Sequence, residues 1–177
     1  MIFQKTACEG AYYITQDPRE DERGYFAYIF SREEFLQQGI DFVSVRASQM
    51  LNKKKGIIRG LHFQLAPKEE QKLIWCTRGR VFDVVADLRP DSPSFGKWFG
   101  AELSPENHSM LYIPRGCAHG FQVLAGDTMV EYLASESYSK ELERGVRWDD
   151  PSIGIEWPDN NIFVSQKDQM WPLLKLN

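Results

Sequence analysis

The 177 residues suffice for one domain with a full hydrophobic core, and 1–177 reads as a single unit. A net charge of −4, with basic residues scattered apart from Lys53-Lys54-Lys55, argues against a nucleic-acid surface, and no run approaches the roughly 18 apolar residues of a membrane span. Cys8, Cys76 and Cys117 are odd in number and lack C-x-x-C spacing, which argues against a disulfide framework or zinc site; the start lacks a signal-peptide plan, so a cytoplasmic protein is expected.

Aromatic residues make up 13% of the chain, and 13 glycines and 9 prolines are spread along it, favouring many short strands over long helices. Residues 1–14 hold two short apolar runs split by Glu9-Gly10, and a polar loop follows from Gln16 to Gly24. In Asp21-Glu22-Arg23-Gly24-Tyr25-Phe26 a guanidinium beside two rings can cradle a base and a phosphate, although an ordinary surface turn has the same form. The clearest helix spans Ser31 to Gly39: Ser31 caps it, Glu34 completes a capping box three residues on, and Gly39 ends it.

From Val43 the pattern is strand after strand, at 43–51, 57–64, 72–77, 80–88, 97–103, 109–113, 119–124 and 128–134, with breaks at Gly79, Pro90, Pro93, Gly96, Pro105, Gly116 and Gly126. Turn signals this regular predict an all-β jelly roll or closed barrel with a few short peripheral helices. Lys53-Lys54-Lys55 reads as a solvated turn before the second of these strands.

That second strand contains Arg59-Gly60-Leu61-His62-Phe63-Gln64. Alternation puts His62 and Gln64 on one face and Leu61, Phe63 and Arg59 on the other, so Arg59 reaches a cavity beside His62 only from a rim or past a distortion at Gly60. His62 is then either a base on rigid backbone or an inert hydrogen-bonded histidine. In the strand 80–88, Asp83 shares a face with Val81 and Val85, and if it points inward it needs a cationic or hydrogen-bond-donating partner. The turn Pro114-Arg115-Gly116 delivers His119 at the start of another strand. The tail from Trp148 has little periodicity and is expected to wrap the barrel; alone, Lys167-Asp168 reads as a solvated charge pair.

A barrel with His62 and His119 raises the metal cupins, but the place of their H-x-H pair reads His62-Phe63-Gln64 and the only further histidine is His108. A catalytic metal normally takes three protein ligands, so no metal site is expected.

The core Arg59 to Gln64 and the spacing Pro114-x-Gly116-x-x-His119 resemble the RmlC-like cupins, the nucleotide-sugar 3,5-epimerases. The likeness extends over nearly the whole chain through Asp21 to Gly24, Lys72, Val81 to Val84, Ser92 to Gly96, Ile113 to Phe121, Gly154 to Pro158 and Ser165 to Asp168. It implies inversion at C3, C5 or both of an NDP-4-keto-6-deoxyhexose of the dTDP-4-dehydro-6-deoxyglucose type, in deoxysugar biosynthesis. Such chemistry needs a base on one face, an acid on the other and a group to hold the enolate charge. By the resemblance, His62 is the base, Asp168 orients and stabilises its imidazolium, Lys72 faces the enolate oxygen and Tyr132 returns a proton from the opposite side. No cofactor is implied, because the ketone already acidifies its neighbours. Arg23, Arg59, His119, Glu143 and Lys167 match substrate contacts, and Tyr25 and Tyr138 match positions that frame the base. A homodimer exchanging an N-terminal segment across a two-fold axis is expected on the same ground.

The chain departs from the family pattern at Ala47, Ser48 and Gln49, where Gln-Asp-Asn is frequent, and at Tyr28, where a glutamate is frequent. These positions belong to the nucleotide and sugar end of the implied pocket. A CDP-linked or 3-deoxy substrate inverted at one carbon is therefore one alternative; a 3,4-ketoisomerase and a non-catalytic sugar-nucleotide binder are the others.

Overall fold

The computed structural model describes residues 1–174. Its strands are β1 (Ile2–Lys5), β2 (Tyr12–Thr15), β3 (Arg19–Asp21), β4 (Gly24–Phe26), β5 (Arg46–Asn52), β6 (Ile57–Gln64) and β7 (Lys72–Arg78). They continue as β8 (Val81–Asp87), β9 (Trp98–Leu103), β10 (Ser109–Ile113), β11 (Cys117–Val123), β12 (Thr128–Ala134), β13 (Glu143–Gly145) and β14 (Phe163–Val164), with short helices α1 (Arg32–Gln37) and α2 (Gln166–Gln169). One sheet has the order β1-β2-β10-β7-β12-β5 and the other β13-β6-β11-β8-β9, with β14 added parallel to β6. β5 to β12 follow the eight strands expected from alternation. β5 starts at Arg46 instead of Val43 because its partner β12 ends opposite it, at Ala134.

Three apolar layers organise the molecule. Between the sheets lie Ile74 and Val130 of one and Val81, Val85 and Phe121 of the other. Behind the first sheet, Leu73 and Met110 pack on Phe35 of α1 and on Phe42, with Phe35 making edge contacts with Phe3, Phe30 and Tyr112. Behind the second, Leu61, Val84 and Ala118 are covered by Val146 and Ile153. No helix among the described residues is long and apolar enough to cross a membrane.

Ser31 caps α1 by accepting from the Glu34 N–H at 3.4 Å. The expected capping box is only half formed, because the Glu34 carboxylate instead takes the Met1 ammonium at 2.6 Å, a charged donor that outcompetes a backbone N–H.

Asp87 closes β8 in a fully buried position. Burial raises its carboxyl pKa, but Arg89, Ser92 and Ser94 donate to it at 2.5 to 2.9 Å and outweigh that penalty, bringing it to about 2 from 3.8. A depressed folded-state pKa stabilises above the unfolded value and loses that contribution as pH falls through the folded value, here roughly 2 kcal/mol between about pH 4 and pH 2. Urea unfolding across that window should show the loss in the wild type and a flatter profile in Asp87→Asn; equal slopes would contradict this role.

Candidate active site

β6 and β11 form the wall on which the site is built. They pair with His119 opposite His62 and Phe121 opposite Arg59, so three residues of β6 span the distance of two on β11. This bulge falls at Gly60, which has a φ of +121°. A Cβ on Gly60 would lie 2.5 Å from the Gly120 Cα, and one on Gly120 would lie 2.7 Å from the Arg59 carbonyl, so the two glycines let the strands close at the irregularity. The extra residue resets the alternation. Arg59 and His62, expected on opposite faces of a regular strand, both line one cavity of about 330 Å³.

His62 is the centre of that wall. Its Nε2 lies 2.5 Å from Asp168 Oδ1. The carboxylate arrives from far along the chain because β14 pairs with β6 at Ile57 and Ile58, and the next residue, Ser165, caps α2 by accepting from the Asp168 N–H at 3.1 Å. Asp168 is not a solvated tail charge. Burial works to raise its pKa, but the hydrogen bond and charge of His62, with the Ser165 hydroxyl, hold it below the ordinary aspartate value. An ionised Asp168 accepts the His62 Nε2 proton and leaves the Nδ1 lone pair as the basic site of the ring. The Trp171 indole packs edge-on against His62 at 5.9 Å and shields the pair.

His119 repeats the motif beside it. Its Nε2 is 2.8 Å from Asp83 Oδ1, the partner that an inward-facing Asp83 requires. At the mouth, Lys167 reaches both oxygens of Glu143 at 2.7 and 2.6 Å, and the Tyr138 hydroxyl donates to the same carboxylate at 2.8 Å. Burial raises the Glu143 pKa, but Lys167 and Tyr138 prevail and lower it. Gln64 fixes the loop carrying Tyr138 by bonding the Ser137 carbonyl and the Ser139 N–H.

The first sheet supplies the opposite wall. Lys72 of β7 and Tyr132 of β12 project into the cavity, with Met50 of β5. Lys72 Nζ is held 2.9 Å from the buried Glu70 carboxylate. Arg59 reaches across from the second sheet, and its Nε donates to Asn52 Oδ1 at 2.8 Å, which leaves its terminal nitrogens for an anion.

The cavity thus gathers His62, Asp168, Lys72, Tyr132, Arg59, His119, Glu143, Lys167 and Tyr138. It does not gather the remaining candidates. Arg23 and Tyr25 stand on the β3–β4 hairpin, where Arg23 is exposed and paired with Asp21, and Tyr25 packs on His108 beside a separate depression. Ala47 and Gln49 point outward from β5; with Ser48 they border another depression shared with Trp75, Glu131 and Tyr132. The side chains of β5 that face inward are Arg46, Ser48, Met50 and Asn52. Met50, Asn52, Phe121, Ser165 and Trp171 support or line the site without having been candidates; strand alternation on β5 would have pointed to Met50 and Asn52, whereas nothing local marks Trp171.

Two facing, mainly antiparallel sheets around a cavity lined by Arg59, Lys72, Lys167 and a histidine–carboxylate pair define a cupin-type barrel. Residues 5–175 match the family model described as dTDP-4-dehydrorhamnose 3,5-epimerase. The chain is 43% identical over 175 residues to the dTDP-4-dehydrorhamnose 3,5-epimerase of Sinorhizobium fredii, covering 98% of this chain and 90% of the relative. The crystal structure of the Elizabethkingia anophelis dTDP-4-dehydrorhamnose 3,5-epimerase superposes with a TM-score of 0.93 at 38% identity, covering 98% of this chain and 96% of the other. The Legionella pneumophila dTDP-6-deoxy-D-glucose-3,5-epimerase, solved in complex with dTDP-4-keto-L-rhamnose, superposes at 0.90 with 34% identity, covering 97% and 92%. The chain belongs to the dTDP-4-dehydrorhamnose 3,5-epimerase family.

Proposed function

We propose that the chain, acting as a single cupin domain, inverts C3 and C5 of a dTDP-linked 4-keto-6-deoxyhexose in deoxysugar biosynthesis. The observation that carries this is the placement of His62 with Asp168 on one wall of the cavity and of Lys72 and Tyr132 on the other. A sugar ring between the walls presents opposite faces to the two groups. The His62 Nδ1 lone pair takes the proton from the carbon beside the ketone; the C–H electron pair becomes the enolate, whose oxygen the Lys72 ammonium stabilises. Asp168 offsets the charge of the imidazolium. Tyr132 then gives its hydroxyl proton to the other face of the carbon, the ketone reforms with inverted configuration, and both side chains regain their starting states through water. Arg59 and Lys167 supply positive charge for the diphosphate, with His119 beside them as a further substrate contact.

Turnover of dTDP-4-keto-6-deoxyglucose, with borohydride reduction of the product and identification of the sugar, tests the assignment. A rhamno-configured product is expected. Conversion of only CDP-linked or 3-deoxy substrates, inversion at one carbon, or migration of the carbonyl to C3 would each overturn it in favour of a named alternative.

We further propose a homodimer in which the β3–β4 hairpin of each chain completes its partner's cavity. Three observations support it: the resemblance makes Arg23 and Tyr25 substrate contacts, both stand outside their own cavity, and the hairpin exposes Tyr25 and Phe26. Arg23→Ala and His62→Ala chains, each inactive alone, should recover about a quarter of wild-type activity when co-expressed, since half of random pairs are mixed and each mixed pair has one intact site. No recovery would contradict the exchange.

A further inference from the structure

Arg46, at the start of β5, turns inward beside the reacting groups and is used by none of the steps above. Its guanidinium is fixed at three points: Nη2 lies 2.7 Å from Glu70 Oε2, Nε donates to the Glu136 carbonyl at 3.0 Å, and Nη1 donates to the Tyr132 hydroxyl oxygen at 3.4 Å. Its Cζ sits 5.5 Å from the centre of the Tyr132 ring. The other oxygen of Glu70 holds Lys72 at 2.9 Å. One buried carboxylate therefore ties the cation that orients Tyr132 to the cation that faces the enolate.

We infer that Arg46, anchored by Glu70, is a positioning residue for Tyr132 that directs its hydroxyl proton into the cavity and compensates the phenolate left when that proton is given up. The inference rests on the acid role proposed for Tyr132. A guanidinium has donors and no acceptor, so the Tyr132 oxygen accepts from Arg46 and its own O–H is free to point elsewhere; the cavity is the space the side chain lines. As the O–H bond breaks and the C–H bond forms, negative charge collects on the phenol oxygen, where the Arg46 N–H is already in place. Glu70 balances the two neighbouring cations in the resting state, which lowers the cost of keeping both half-buried. A planar fork bound at three points cannot be replaced by an ammonium without losing contacts, so Arg46→Lys would preserve the charge and only part of the orientation.

The test separates proton removal from inversion. In D2O with dTDP-4-keto-6-deoxyglucose, deuterium uptake in recovered starting sugar reports abstraction and return on the His62 side, and epimeric product reports delivery by Tyr132. Arg46→Leu should keep deuterium uptake within a few-fold of wild type and lower inversion by tenfold or more, with little change in KM; Arg46→Lys should recover part of the inversion, and Glu70→Gln should fall between. Parallel loss of uptake and inversion, or unchanged inversion in Arg46→Leu, would overturn the inference; urea midpoints identify a variant that is merely unfolding. His62→Ala in the same series distinguishes the two readings: if it leaves uptake intact, the proposed epimerase chemistry fails, whatever Arg46 does.

Discussion

His62→Ala is expected to lower kcat for product formation by roughly 10³- to 10⁴-fold with KM changed by less than a few-fold. The size follows from the role proposed for the ring. Its Nδ1 is the basic atom only because Nε2 is committed to Asp168 at 2.5 Å, and the imidazolium formed on proton uptake rests against a carboxylate that stays ionised in the folded protein. Alanine removes the proton acceptor and strands the Asp168 charge in a buried position. The substrate would still meet Arg59, His119 and Lys167, so binding should survive. Steady-state kinetics with His62→Ala decide the point, and a loss smaller than about tenfold would remove His62 from the reaction, because a general base contributes at least about 10². Asp168→Asn should be of comparable size, since an amide N–H donated to Nε2 puts the ring proton on Nδ1 and a neutral amide cannot balance the imidazolium charge.

Tyr132→Phe carries the second large effect, of a different kind. The substitution deletes one oxygen from a ring packed among the residues between the sheets, so folding and binding should be close to wild type. What disappears is the only group assigned to protonate the face away from His62. Formation of inverted product should fall roughly 10²- to 10³-fold, while the starting sugar continues to exchange with solvent, because His62 can remove a proton and return one to the same face. Product analysis alongside mass measurement of the recovered sugar distinguishes this from general inactivation, and equal loss of both signals would make Tyr132 a binding residue.

Much of the barrel was legible because strands advertise themselves locally. Alternating apolar residues from 57 to 134, cut by Gly79, Gly96 and Gly116 at positive φ, fall on β6 to β12 with ends shifted by only a few residues. Irregular geometry was harder to read, and at the site it falls on β6. Gly60 signals a distortion, but a bulge depends on the pairing partner, and the matching Gly120 lies on another strand. Asp168 was less legible still: its partner is 106 positions away, the tail that delivers it has no periodicity, and the parallel pairing of β14 with β6 leaves no trace in composition. Resemblance, rather than local chemistry, marks it. Arg46 shows the reverse. Alternation along 43–51 suffices to place it on the inner face with Met50, whereas two of the three neighbouring departures from the family pattern, Ala47 and Gln49, face outward.

The proposed mechanism makes one requirement: protons at both carbons flanking the ketone must come from water by way of His62 and Tyr132. Proton NMR in D2O of the wild-type protein with fresh dTDP-4-keto-6-deoxyglucose tests this most directly. The C3 and C5 proton signals should both disappear as the epimerised sugar forms, and neither should change with His62→Ala. Retention of the substrate's own hydrogen at either carbon while that carbon inverts, or no exchange at either carbon, would contradict the account.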